Sequence, residues 1–171
     1  MKVVGLIIFL FLFSENIFGQ ASTASDCQDA VNICTNATFA IDPSGSGAIL
    51  ELDGNNVSNP TTNPGSGNAG CLLAGELNST WMVINVASSG LLEFSFGTDG
   101  STGCLDWIMW PYSAASCNDI INNNLPPIRC NWNGMCEGFT GVASTLPPGG
   151  ETSNFEPGVP ANAGEQYLIC L

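Results

Sequence analysis

Eight cysteines and the absence of histidine set the chemistry open to this 171-residue chain. The thiols are Cys27, Cys34, Cys71, Cys104, Cys117, Cys130, Cys136 and Cys170. An even number behind an export-type start argues for disulfides, because thiols oxidise outside the cytoplasm. Zinc is the rival claimant, but it favours imidazole or Cys-x-x-Cys pairs, and neither occurs. Spacing alone leaves about a hundred connectivities open. The pairing expected first is Cys117 with Cys130, which flank the polar loop 118–129; closing a loop of that size stabilises by about 3 kcal/mol through the unfolded chain. Without histidine, the Ser-His-Asp, Cys-His and zinc-hydrolase arrangements cannot be built. A glycosidase needs only two carboxylates at the right separation. Glu51, Glu76, Glu93 and Asp106 are available for that, yet nothing in the sequence orders them into a site, and the chain reads as non-catalytic.

Aromatic side chains offer a second chemistry, stacking on a saccharide face. In Trp107-Ile108-Met109-Trp110 the two indoles fall on opposite faces of an extended strand. One of them therefore lies on an outer face unless both faces are covered. Trp132, between Cys130 and Cys136, is the ring expected to be most exposed, and Tyr112 follows Trp110 closely. Trp110, Tyr112 and Trp132 are the candidate stacking residues. The alternative is that such rings pack under loops or against disulfides, each removing about 150–250 Å² from water.

The formal charge is −13. Lys2 and Glu15 offset one another near the start, which leaves Arg129 as the one cation of the remaining chain. So acidic a surface repels phosphate backbones, which argues against nucleic-acid binding. An extracellular protein or polysaccharide is the expected partner.

The elements that must position these residues are strands. Lys2 and the apolar run Val3 to Phe13 read as a secretory signal peptide over 1–19, too short to span a bilayer. The rest, 20–171, reads as one domain with no further membrane-spanning stretch. Its densest apolar content lies between Ser79 and Tyr112, divided by Ser88-Ser89-Gly90 and by the loop Gly97 to Gly103. Alternation places Leu92, Phe94 and Phe96 on one sheet face and Glu93 and Ser95 on the other. Three consecutive strands running as a meander are expected here. Thr38–Asp42, Ala48–Leu52, Phe139–Val142 and Glu165–Leu171 read as further strands, whereas 113–130 and 147–160 read as polar connections. Pro126 and Pro127 exclude a helix at that point. No segment carries helical periodicity, so the fold class is all-β, an antiparallel two-sheet sandwich stapled by disulfides. The last strand is still running at Leu171, and further domains are expected C-terminal to it.

The ordered succession of Asp26-Cys27 and Ile33-Cys34, Gly70-Cys71-Leu72-Leu73, Gly75-Glu76-Leu77-Asn78-Ser79-Thr80-Trp81, Leu105-Asp106-Trp107, Pro127-Ile128-Arg129-Cys130 and Gly164-Glu165-Gln166-Tyr167-Leu168 resembles a family of secreted Bacteroidetes cell-surface modules. Those lie near the start of large proteins exported by the type IX route, many of them adhesive or gliding-associated. The resemblance implies a jelly-roll-like sandwich, related in shape to CUB and pre-peptidase C-terminal domains, within a longer parent attached to the cell surface. It also makes Ca²⁺ a possible ligand, since related sandwiches hold it at one end with Glu and Asp from separate loops. Glu76, Asp99 and Asp106 are the candidates here. Their alternative role is to cap turns or accept backbone hydrogen bonds, because no contiguous loop has calcium-ligand spacing. The family's acidic pair around the third-strand aromatic is reduced to Asp106.

Overall fold

A computed structural model describes residues 23–33, 38–43, 45–53, 67–72, 75–98, 103–136 and 138–171. The expected signal peptide, Cys34 and Asp99 lie outside them.

The described chain is all-β and sandwich-like, with one short helix. In chain order the elements are β1 (Val31–Ile33), β2 (Trp81–Asn85), β3 (Gly90–Leu92), β4 (Phe94–Gly97), β5 (Trp107–Pro111), α1 (Ser116–Ile121), β6 (Arg129–Asn131), β7 (Phe139–Val142), β8 (Gly150–Glu156), β9 (Val159–Ala161) and β10 (Gln166–Cys170). A five-stranded sheet runs β1-β2-β10-β5-β6, and two smaller sheets pair β3 with β9 and order β4-β7-β8. Two pairings are parallel, β1 with β2 and β7 with β8, so the sheets are mixed and not antiparallel throughout.

Three strands are expected between Ser79 and Tyr112 and four form, because the second is divided at Glu93 into β3 and β4, which join different sheets; none is another's neighbour. β2 pairs with β10, β3 with β9, β4 with β7, and β5 with β10 and β6. Each Gly-rich connection carries the chain to the other layer instead of back alongside the same strand. That crossing brings Leu92, Phe94 and Phe96 over Met82, Trp107, Met109 and Ile169, and together they fill the space between layers. The expected alternation holds, for Glu93 and Ser95 are exposed while the two phenylalanines are half-buried. Phe94 meets Trp107 edge-on at 5.1 Å, a favoured aromatic geometry.

The other face of the five-stranded sheet is covered as well, by α1 and irregular chain. Ala24, Cys27, Leu52, Ala69, Cys71, Leu72, Cys117 and Ile120 lie over Trp81, Val83, Ile108, Trp110 and Leu168. This second layer explains why Trp107-Ile108-Met109-Trp110 is buried on both sides. It also corrects several readings of the sequence. Ala48–Leu52 is not a strand: its amides go to side chains, with Asp26 Oδ1 accepting Ala48 N and Ile49 N, each at 2.8 Å. Thr38–Asp42 contributes a lone bridge at Ala40. The segment 113–130 contains α1, closed by Asn123 at φ 57°, where Asn124 N donates to Asp119 O at 2.7 Å in a left-handed helix stop. The connection 147–160 holds β8 and most of β9.

Among the described residues there are three disulfides: Cys27–Cys117 within the cover, Cys71–Cys130 from the cover to β6, and Cys104–Cys136 between two loops. The expected Cys117–Cys130 bridge does not form. Cys117 rides on α1 toward the Cys27–Asp29 turn, while Cys130 on β6 meets Cys71 in the loop below Gly70. Among the described residues, Cys170 is the free cysteine, and it is buried. No described helix is long and apolar enough to cross a membrane.

Candidate recognition cleft

Two loops without regular structure meet because they are tied together. Cys104 precedes Leu105-Asp106 at the entry to β5, and Cys136 closes the loop that carries Trp132; their Cα atoms lie 4.0 Å apart. A second tie lies close by, where Asp106 Oδ1 accepts the Asn133 backbone N–H at 2.7 Å. The Trp132 ring is backed by its own loop, since a side chain at Gly134 would sit 3.1 Å from it. Opposite these loops, residues 75–79 run between the cover layer and β2. The space between is a cleft of about 680 Å³ lined by Glu76, Leu77, Asn78, Asp106, Trp132 and Leu171.

Three residues singled out from the sequence, Glu76, Asp106 and Trp132, thus share one site. Trp110 and Tyr112 do not reach it. Trp110 is fully buried against Trp81, their rings stacked at 5.6 Å, and Tyr112 packs half-buried against the same cluster. The sheet's second cover decides this, since it converts the face Trp110 points to from surface into interior. Of the four tryptophans, Trp81, Trp107 and Trp110 are 0% exposed and Trp132 is 38% exposed.

The two acids of the cleft are anchored by N–H groups. Glu76 is buried, and its Oε2 accepts the amides of Glu51 at 3.0 Å and Leu52 at 3.4 Å. Its Oε1 accepts the Trp81 indole N–H at 3.0 Å. Burial raises the Asp106 carboxyl above the usual range, and the Asn133 hydrogen bond opposes the rise. Among the described residues no group of three or more Cys, Asp or Glu gathers to hold a metal ion.

Behind the cleft lies a buried polar network that sequence reasoning missed. Glu51 is 1% exposed, and its Oε1 accepts the Cys27 amide at 2.7 Å. Asn68 donates through Nδ2 to Glu51 O at 3.0 Å and Ile120 O at 2.8 Å, and its amide donates to Asn123 Oδ1 at 2.6 Å. Irregular chain buried over a sheet has no ladder to satisfy its backbone, so side-chain oxygens must do it. The one sequence hint was acids set among apolar residues, as in Leu50-Glu51-Leu52 and Gly75-Glu76-Leu77.

Compared with protein families, with curated proteins and with solved structures, the chain finds no match.

Proposed function

We propose that this chain is a non-catalytic extracellular recognition module of a larger secreted surface protein, and that it meets its ligand at the Trp132 cleft. The observation that carries the reading is the contrast among tryptophans: three are sealed in the interior, and the fourth is held half-open at the rim of a cleft. Trp132 and Leu77, 38% and 66% exposed, both line the cleft, and apolar side chains exposed together beside polar groups are what marks contact surfaces. Three disulfides in a small all-β domain support an oxidising, extracellular setting. The two facing layers support the jelly-roll-like reading drawn from the sequence.

A second reading makes the module a carbohydrate-binding accessory domain of a secreted hydrolase. Favouring it, Trp132 shares the cleft with the Asp106 carboxylate and the exposed Asn78, so a sugar could stack on the ring and hydrogen-bond beside it. A glycan array probed with the whole chain separates the two. Selective glycan binding that is lost in Trp132→Ala supports the saccharide reading. Silence across glycans, with Trp132-dependent binding to an extracellular protein, supports adhesion. If Trp132→Ala changes no binding of either kind, the cleft is not the recognition site.

A further inference from the structure

Glu51 and Glu76 are two carboxyl side chains buried at 1% and 5% exposure on the covered face of the sheet. The acceptor oxygens are distributed unevenly between them. Both oxygens of Glu76 receive N–H donors, from Glu51, Leu52 and Trp81. On Glu51, Oε1 receives the Cys27 amide, while the buried Oε2 receives no N–H donor, and the carboxyl lies within side-chain hydrogen-bonding reach of Glu76. Buried ionised carboxylates are tolerated when a cation pairs with them, and among the described residues none is placed to do so. Arg129 sits opposite Met109 in the β5–β6 pairing and so shares the face of Met109, which packs between the layers on the sheet's other side. Its guanidinium donates to Ile128 O. The other titratable groups on the elements packed around the pair bring no positive charge. Asp26 and Asp29 belong to the Cys27 turn, Asp119 to α1 and Cys170 to β10. Burial, with the charges of Glu76 and Glu51 adding to it, keeps the Cys170 thiol neutral.

We propose that Glu51 and Glu76 share a single proton, and that this proton latches the irregular cover layer onto the five-stranded sheet. With the proton present the pair carries one negative charge, and its oxygens hold the Cys27, Glu51 and Leu52 amides of the cover and the Trp81 indole of the sheet. Loss of the proton to bulk base leaves two buried anions side by side. Their repulsion and desolvation then fall on the segments they tie, the Cys27 turn and residues 51–52. Burial, followed by the neighbouring Glu76 charge, raises the Glu51 carboxyl to about 7, while the Cys27 hydrogen bond opposes the rise. Release therefore falls near neutral pH. The inference does not rest on the recognition reading, because it is tested on the native chain with no ligand.

The test is native-state hydrogen exchange of the intact, disulfide-bonded chain. Protection factors for the Cys27, Glu51 and Leu52 amides and the Trp81 indole should fall on the order of tenfold or more between about pH 5.5 and about pH 8.5. In Glu51→Gln, an uncharged isostere, that difference should vanish. Infrared spectra of the wild-type chain should show a protonated carboxyl band that persists above the usual carboxylate range and disappears on alkaline titration. This readout stands even if the variant folds poorly. Equal protection at both pH values, or no such band in the native protein, overturns the proposal.

Discussion

Trp107 and Trp110, three positions apart on β5, point to opposite faces of the sheet, and both are fully buried. Trp107 fills the space between the two sheet layers, where its indole donates to Thr140 Oγ1 at 3.0 Å. Trp110 lies under the disulfide-tied cover. Truncating either to Ala should destabilise by about 3–5 kcal/mol. Trp132→Ala should stay within about 1 kcal/mol of wild type. Denaturant titration of the three variants checks the ranking, and a large loss from Trp132 would remove the contrast on which the cleft reading stands.

The tightest backbone approach is at Gly141, in β7 between β4 and β8. A Cβ there would lie 2.2 Å from the Phe94 carbonyl oxygen, a backbone atom that cannot step aside. Gly141→Ala should cost several kcal/mol, about 3 or more, or prevent folding. Gly90 makes the control, because a Cβ there meets nothing within 4 Å. Thermal melts of the two variants should differ widely. Similar melting points would mean that β4 and β7 are not paired as described.

Disulfide mapping of the unreduced chain should recover peptides linking Cys27 to Cys117, Cys71 to Cys130 and Cys104 to Cys136. Replacing both Cys27 and Cys117 by Ser should cost about 2–5 kcal/mol, since the bridge closes a loop of 90 residues. A recovered Cys117–Cys130 peptide would restore the pairing expected from the sequence and remove the cover layer's main staple.

At alkaline pH the group to follow is Tyr167 on β10. Burial, then its 2.8 Å hydrogen bond to Glu165 Oε2 and that carboxylate's charge, push the phenol up to about 12 from an ordinary value near 10. The folded chain therefore holds this proton more tightly than the unfolded chain. The stability it contributes is intact below about pH 10 and is lost as pH rises toward 12. Ultraviolet titration should show a late tyrosinate that moves to lower pH in Glu165→Gln. An unchanged titration would remove the Glu165 contribution.

Several elements were readable from residue order alone. Two-residue alternation places Leu92, Phe94 and Phe96 on the inner face, and β7 and β10 fall where their apolar runs predict, because a strand's facing depends only on its own period. The composition foretold disulfides in the same local way. Asp106 and Trp132 stood out as an acid beside a tryptophan and a tryptophan inside a cysteine-bounded loop.

Partners were not readable. Which strand hydrogen-bonds to which, whether Cys117 meets Cys27 or Cys130, and whether Trp110 faces solvent or protein all depend on segments far away in sequence. The cover over the sheet's second face has no apolar period to announce it, since apart from the short α1 it is irregular chain whose buried amides are satisfied by Glu51, Glu76 and Asn68. Sequence determined, through local period, the strands with a clear apolar alternation or run, β2, β4, β5, β7 and β10, and through composition that cysteines are oxidised. Tertiary structure alone decided the strand order, the bridges and the joining of Glu76, Asp106 and Trp132, because those are contacts between segments that carry no local trace of one another.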